Sequence, residues 1–264
     1  MTANIQPMVI TENPAQGIWR LVLNKPDSFN ALSTPMLQAL GEALSTASAS
    51  PDCRVIILAA QGKAFSAGHD LREMRAHPDA TFYSELFALC SQLMMQIQQS
   101  PQPVIAQVQG IATAAGCQMV SMCDLAIAAE SAKFAVSGIN YGLFCATPSV
   151  GLSRNMHRKQ AMEMLLTGDF IDATTAVERG LINHCVSADD LEQAVLNLSL
   201  KITAKPEPAV RMGKALFYKQ LETGISSAYQ LAGQTMACNM MDDTAQEGFQ
   251  AFLDKRKPSW SPQS

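Results

Sequence analysis

The chain is poor in charge and in aromatic rings. Of its 264 residues, 16% are charged and 6% are Phe, Trp or Tyr, while 48% are hydrophobic. That balance excludes a disordered chain. The formal net charge of −4 argues against a nucleic-acid binder that works through a broad basic surface. Long apolar runs are missing. Val55-Ile56-Ile57-Leu58-Ala59-Ala60 is typical, and nothing approaches the ~18–20 residues needed to cross a bilayer, so no membrane partner is expected. The seven cysteines are odd in number and include no C-x-x-C pair. Neither a disulfide framework nor a zinc site is indicated, and no His, Cys and carboxylate set has metal-ligand spacing. The start, Met1-Thr2-Ala3-Asn4-Ile5-Gln6-Pro7, has no basic segment followed by an apolar stretch, so no secretory signal is expected. Buried reduced thiols in a cytoplasmic protein are the expectation.

At this length roughly 70–75% of the unfolded chain's surface can be buried, and no staples are needed. One large domain with a small appendage is expected ahead of two equal domains. Short strands are expected at 8–11 and 18–23, joined by a turn holding Asn13-Pro14 and Gly17. Ser33 or Thr34 caps a helix whose apolar face carries Leu37, Leu40 and Leu44. Buried strands are read at 54–60, 104–108 and 124–128, with helices at 81–99 and 115–122. Residues 61–70 and 110–116 read as loops. This alternation implies an α/β fold with parallel strands covered by helices. Beyond Gly142 a helix is read at 160–167 and a short one after Asp172, then a brief strand at 181–186. Helices at 188–204, 208–221, 226–241 and 244–255 complete the chain.

Two stretches carry the chemistry. Lys63-Ala64-Phe65-Ser66-Ala67-Gly68-His69-Asp70-Leu71 and Gly110-Ile111-Ala112-Thr113-Ala114-Ala115-Gly116-Cys117-Gln118 each follow a buried strand and lead towards a helix. Small side chains leave backbone N–H groups unshielded, and a helix N-terminus adds free donors and a positive dipole end. Two such donors can converge on one oxygen and stabilise negative charge there. Gly and Ala are equally what tight strand–helix junctions use, so packing and an anion site both stand. Neither loop has a complete nucleotide-binding pattern.

These two stretches, with Pro103-Val104-Ile105-Ala106, Gln109-Gly110, Cys123-Asp124, the run 161–168 and the end 247–257, resemble the crotonase (enoyl-CoA hydratase/isomerase) superfamily over residues 8–258. Residues 112–118 and 142–145 are similar to one branch of it in particular. The resemblance implies a crotonase-like spiral of ββα units over residues 1–200 and a helical C-terminal trimerisation region over 201–264. It implies a homotrimer or a dimer of trimers, an acyl-CoA substrate, and no cofactor beyond the coenzyme A of that substrate. The backbone N–H groups of His69 and Ala115 match the oxyanion hole that holds the thioester oxygen as an enolate forms. Ala67, His69, Asp70, Leu71 and Arg72 match the stretch around the CoA adenosine end. Phe252 and Lys255 match C-terminal residues that reach CoA, commonly from a neighbouring subunit.

The chain departs from the family at both catalytic glutamates, which fall on Gln118 and Gly138. An amide holds a water but cannot take its proton, and each lost acid or base is worth ~10²–10⁴ in rate. Ordinary hydration is therefore expected to be weak. Gln118→Glu with Gly138→Glu is expected to raise it if the scaffold is otherwise intact. The alternatives are a malonyl- or methylmalonyl-CoA-type decarboxylase, with Ser137 orienting a carboxylate, and a non-catalytic acyl-CoA binder. Cys145 stands where such decarboxylases have a tyrosine, which counts against the first. Cys117 and Cys145 read as buried thiols rather than nucleophiles. Asp124 reads as a loop tie, Asp70 as a structural or CoA-side residue, and residues 236–241 as core or subunit contact.

Overall fold

Residues 6–260 are described by the structure, a computed structural model. Six strands form the main sheet in the order β1-β2-β3-β5-β7-β10. They are β1 (Val9–Ala15), β2 (Ile18–Leu23), β3 (Val55–Ala60), β5 (Val104–Val108), β7 (Leu125–Ala129) and β10 (His184–Val186). Only β1 pairs antiparallel; the other neighbours are parallel. A second sheet is built from β4 (Ala64–Ser66), β6 (Ile111–Thr113), β8 (Lys133–Ala135) and β9 (Ile171–Asp172), in the order β4-β6-β8-β9.

The two sheets advance together. β3, β5 and β7 enter the main sheet in turn, and β4, β6 and β8 follow each of them into the second. Helices close each round: α1 (Thr34–Ala49) precedes β3, α2 (Leu71–Ala76) and α3 (Ala80–Gln99) follow β4, and α4 (Ala115–Met122) follows β6. This is the expected spiral of ββα units.

Alternation decides which way each strand residue points. In β3, Ile56 and Leu58 join the core beneath α1, α3 and α4, while Val55, Ile57 and Ala59 join a second core. Leu191 and Val195 of α8 (Leu191–Thr203) cover that second face. Both faces are thus buried, which is why the central strands read as continuous apolar runs. α8 is a layer of the core, and residue 200 lies inside it.

Three helices follow: α9 (Glu207–Leu221), α10 (Ile225–Met240) and α11 (Asp243–Leu253). One buried polar knot ties α9 down. Asp124 accepts from Lys214 Nζ at 2.6 Å, Tyr218 Oη at 2.8 Å and the Val104 N–H at 2.6 Å. Lys214 also donates to the carbonyls of Ile97 and Gln102. Asp124 therefore ties its loop, as expected, and fastens the helical region to the core as well. Burial outweighs the Asp124 charge and holds Lys214 below its ordinary value.

Several expectations change. Asn13 and Pro14 lie inside β1, and the chain reverses at Gln16-Gly17, where Gly17 has φ +77°. Both expected loops contain three-residue strands of the second sheet. Helices α2 and α5 (Ala146–Asn155) were not expected. The strand read at 181–186 is confined to His184–Val186. No helix of the described residues is long and apolar enough to cross a membrane.

Removing Asp124 would leave a buried ammonium unpaired. Asp124→Ala is expected to destabilise the fold by about 3–5 kcal/mol in urea unfolding. Lys214→Met leaves the Asp124 carboxylate buried without its cation and is expected to cost a comparable amount; a negligible loss in either variant would contradict the argument.

Candidate active site

The site is made where the two small-residue loops touch. Asn30, fully buried and with φ +51°, fixes the first loop from behind. Its amide donates to the carbonyls of Gln61 and Ala64 at 2.8 and 2.9 Å, and its Oδ1 accepts from the Lys25 N–H. Ser66 Oγ donates to the Asn30 carbonyl. Ala67 N–H donates to Phe29 and Leu32 N–H donates to the Gly68 carbonyl at 2.7 Å. The loop's polar groups are thus committed up to Gly68, and the next N–H belongs to His69.

The second loop ends at Ala114, whose N–H donates to the Ala135 carbonyl. Ala114 has φ 50° and ψ −122°, a conformation that strains any residue with a Cβ. Ala115 then begins α4. As the first helical residue it has no intrahelical acceptor for its N–H, and the positive end of the helix dipole lies at this point. All eight residues of α4 are buried, so no water from the flanks competes along its length.

Glycines record how close the loops run. A Cβ on Gly116 would sit 2.3 Å from the Ser66 carbonyl oxygen. One on Gly68, where φ is +86°, would sit 2.8 Å from Ala114 Cβ and 3.1 Å from the Ala115 nitrogen. Main chain packs on main chain. His69 N–H and Ala115 N–H follow directly on the two sides of that contact.

A cavity of about 190 Å³ opens on this junction. Ala67, His69, Ala115, Ser137, Gly138 and Cys145 are among its lining residues. Among the described residues no Asp, Glu, Lys or Arg lines it; the titratable groups in its lining are His69, Tyr141 and Cys145. Burial lowers the His69 pKa, which leaves the imidazole neutral at pH 7. Its Nδ1 lies 3.3 Å from the Leu32 carbonyl and its Nε2 is buried without a partner among the described residues. The ring stands edge-on to Phe87, with centroids 5.4 Å apart. Burial raises the Cys145 thiol. Ser137 Oγ lies 2.9 Å from Thr113 Oγ1.

The two positions expected from the resemblance to match the catalytic glutamates, 118 and 138, behave differently. Gln118 lies one turn beyond Ala115 on α4, 4% exposed, with Oε1 unpartnered among the described residues. It stands behind the cavity wall rather than in its lining. At Gly138 a Cβ would meet the Leu143 carbonyl oxygen at 2.6 Å and Cys145 Sγ at 2.8 Å. The 143–145 segment fills the space a side chain would need. The expectation that glutamates at 118 and 138 would raise hydration is therefore corrected: position 138 has no room for one.

Of the residues matched to CoA, Ala67, His69 and Leu71 line the cavity. Asp70 caps α2, accepting from the N–H groups of Arg72 and Glu73. Arg72, Phe252 and Lys255 lie outside the lining, and Phe252 is 80% exposed at the end of α11. Asn30 was missed by sequence reasoning. A lone Asn in a turn signals a left-handed residue but not a buried clamp.

Residues 13–263 match the Enoyl-CoA hydratase/isomerase family, and the chain belongs to that family. Rattus norvegicus enoyl-CoA hydratase domain-containing protein 3, mitochondrial, is 43% identical over 256 residues, covering 97% of this chain and 85% of the relative. The human protein of the same name is 43% identical at 97% and 84% coverage. A crystal structure of an enoyl-CoA hydratase from Mycobacterium smegmatis superposes with TM-score 0.95 at 56% identity, covering 97% and 99% of the two chains. The human domain-containing protein 3 structure gives 0.93 at 43%, covering 97% and 100%. The cytoplasmic expectation is corrected by these names: the rat and human relatives are called mitochondrial.

Two outcomes follow. Gly138→Ala is expected to destabilise the protein by about 1–3 kcal/mol in thermal unfolding, and pairing it with Cys145→Ala leaves the Leu143 carbonyl clash in place. A silent Gly138→Ala would contradict the packing. Because the folded His69 pKa lies below the unfolded one, protons bind the unfolded chain more readily. Stability therefore falls as pH drops below about 6.5, the ordinary histidine value. His69→Gln should flatten that slope in pH-dependent urea melts; an unchanged slope would contradict it.

Proposed function

We propose that the chain acts on an acyl-CoA thioester, holding the thioester oxygen between the backbone N–H groups of His69 and Ala115 as negative charge develops on it. The reading is supported by the seating of Gly68 against Ala114 and Ala115 and by the presence of His69 and Ala115 in the lining of one cavity. Backbone donors held by packing need no reorganisation during reaction, and one such donor is typically worth roughly 10²–10³ in rate. The end of α4 adds its dipole to the same point.

Hydration of a C=C bond needs one group to take a proton from water and another to deliver one. Among the described residues no carboxylate lines the cavity. The supported reaction is thus one that forms or uses an enolate without a carboxylate pair. Loss of CO₂ from a malonyl- or methylmalonyl-type CoA forms the enolate with no base, and the carboxylate-free lining favours it as the second reading. There Ser137, steadied by Thr113, orients the departing carboxylate.

Ala67, Asp70, Leu71 and Arg72 belong to the CoA side of the cavity in this reading. Phe252 and Lys255 lie far from it in sequence and serve a neighbouring copy. The exposed Ile225, Tyr229, Met236, Phe252 and Leu253 of the C-terminal helices form the apolar surface of a trimer.

Purified protein is expected to hydrate crotonyl-CoA at least ~10²-fold more slowly than a carboxylate-bearing hydratase, while still binding acyl-CoA in calorimetry. An ordinary hydration rate would overturn the assignment of Gln118 and Gly138. Incubation with methylmalonyl-CoA without CO₂ release would dispose of the second reading.

A further inference from the structure

A second hollow adjoins the first. It measures about 760 Å³ and lies between α4, α5, α6 (Arg158–Thr167) and α9. Met122, Ala161, Met162, Leu165, Phe217 and Leu221 supply its apolar wall. Its charged residues are Arg154, Arg158 and Glu222, with Arg154 and Glu222 3.6 Å apart. Phe144 is the one described residue that lines both this groove and the inner cavity. It is 41% exposed and sits on the segment between Gly142, which has φ +83° and open space around it, and the start of α5. Its backbone is fixed, since its carbonyl accepts from the Ala146 N–H at 2.8 Å.

The inner cavity is neutral and largely apolar, and its volume is a quarter that of the groove. Phe144 stands on the boundary between the two, where an acyl chain anchored at the His69–Ala115 junction and too long for the inner cavity would cross into the groove. We propose that Phe144 sets the chain length this protein accepts, and that the distal part of a longer linear acyl chain lies in the groove beyond it. The proposal rests on the acyl-CoA reading above.

Each methylene taken from water into an apolar wall contributes about fourfold in affinity. The test is the ratio of lauroyl-CoA to butyryl-CoA affinity, measured by calorimetry on the full-length protein, so that a general loss of folding or CoA binding cancels. Phe144→Ala is expected to raise the ratio roughly tenfold by widening the passage, and Phe144→Trp to lower it by a similar factor. Met162→Glu, an exposed change within the groove alone, is expected to lower it as well. Ratios unchanged in all three variants, with both esters still bound, would overturn the proposal and leave the acyl-CoA reading intact; that result is expected if a second copy of the chain covers the groove. Binding of neither ester by the unaltered protein would overturn both.

Discussion

The site depends on two stretches of main chain packed without side chains between them. Gly68 meets Ala114 and Ala115, and Gly116 meets the Ser66 carbonyl, at distances where a Cβ would collide. Each contact fixes one loop by the other. The N–H groups of His69 and Ala115, the pair in the proposed function, follow directly on these contacts. Asn30 holds the first loop from behind, and the Ala135 carbonyl holds the second. Strain at Ala114 is sustained because its surroundings leave it no alternative.

The sequence posed packing and anion binding as competing accounts of the Gly and Ala residues. In the structure the same residues pack the two loops together and line the cavity on which the proposed function rests, so the two accounts are compatible. That is why the loops were legible and their purpose was not: the same residue types serve both. Position 138 shows the converse. Glycine there reads as a lost catalytic group, yet Leu143 and Cys145 have closed over the space. A side chain at this position would collide with the Leu143 carbonyl and Cys145 Sγ, geometry that no local pattern reveals.

Legibility of the fold followed the physics of each element. The strands 55–60 and 104–108 were plain because both faces are buried, giving unbroken apolar runs. The second sheet was hidden because three-residue strands are too short to show any period. α5 was hidden because it buries only Pro148, Gly151 and Leu152 among serines. Asn13-Pro14 misled as a turn because an edge strand tolerates proline. Asp124 was read as a local tie, and its larger part in fastening α9 through Lys214 and Tyr218 comes from residues 90 and more positions away.

The central claim is that two fixed amides polarise a thioester carbonyl. Isotope-edited infrared spectroscopy of butyryl-CoA carrying ¹³C at that carbonyl reads the polarisation itself. The account predicts a C=O stretch displaced to lower wavenumber on binding, as the bond gains single-bond character. A bound ester whose stretch stays at its position in water, or moves higher, would contradict it.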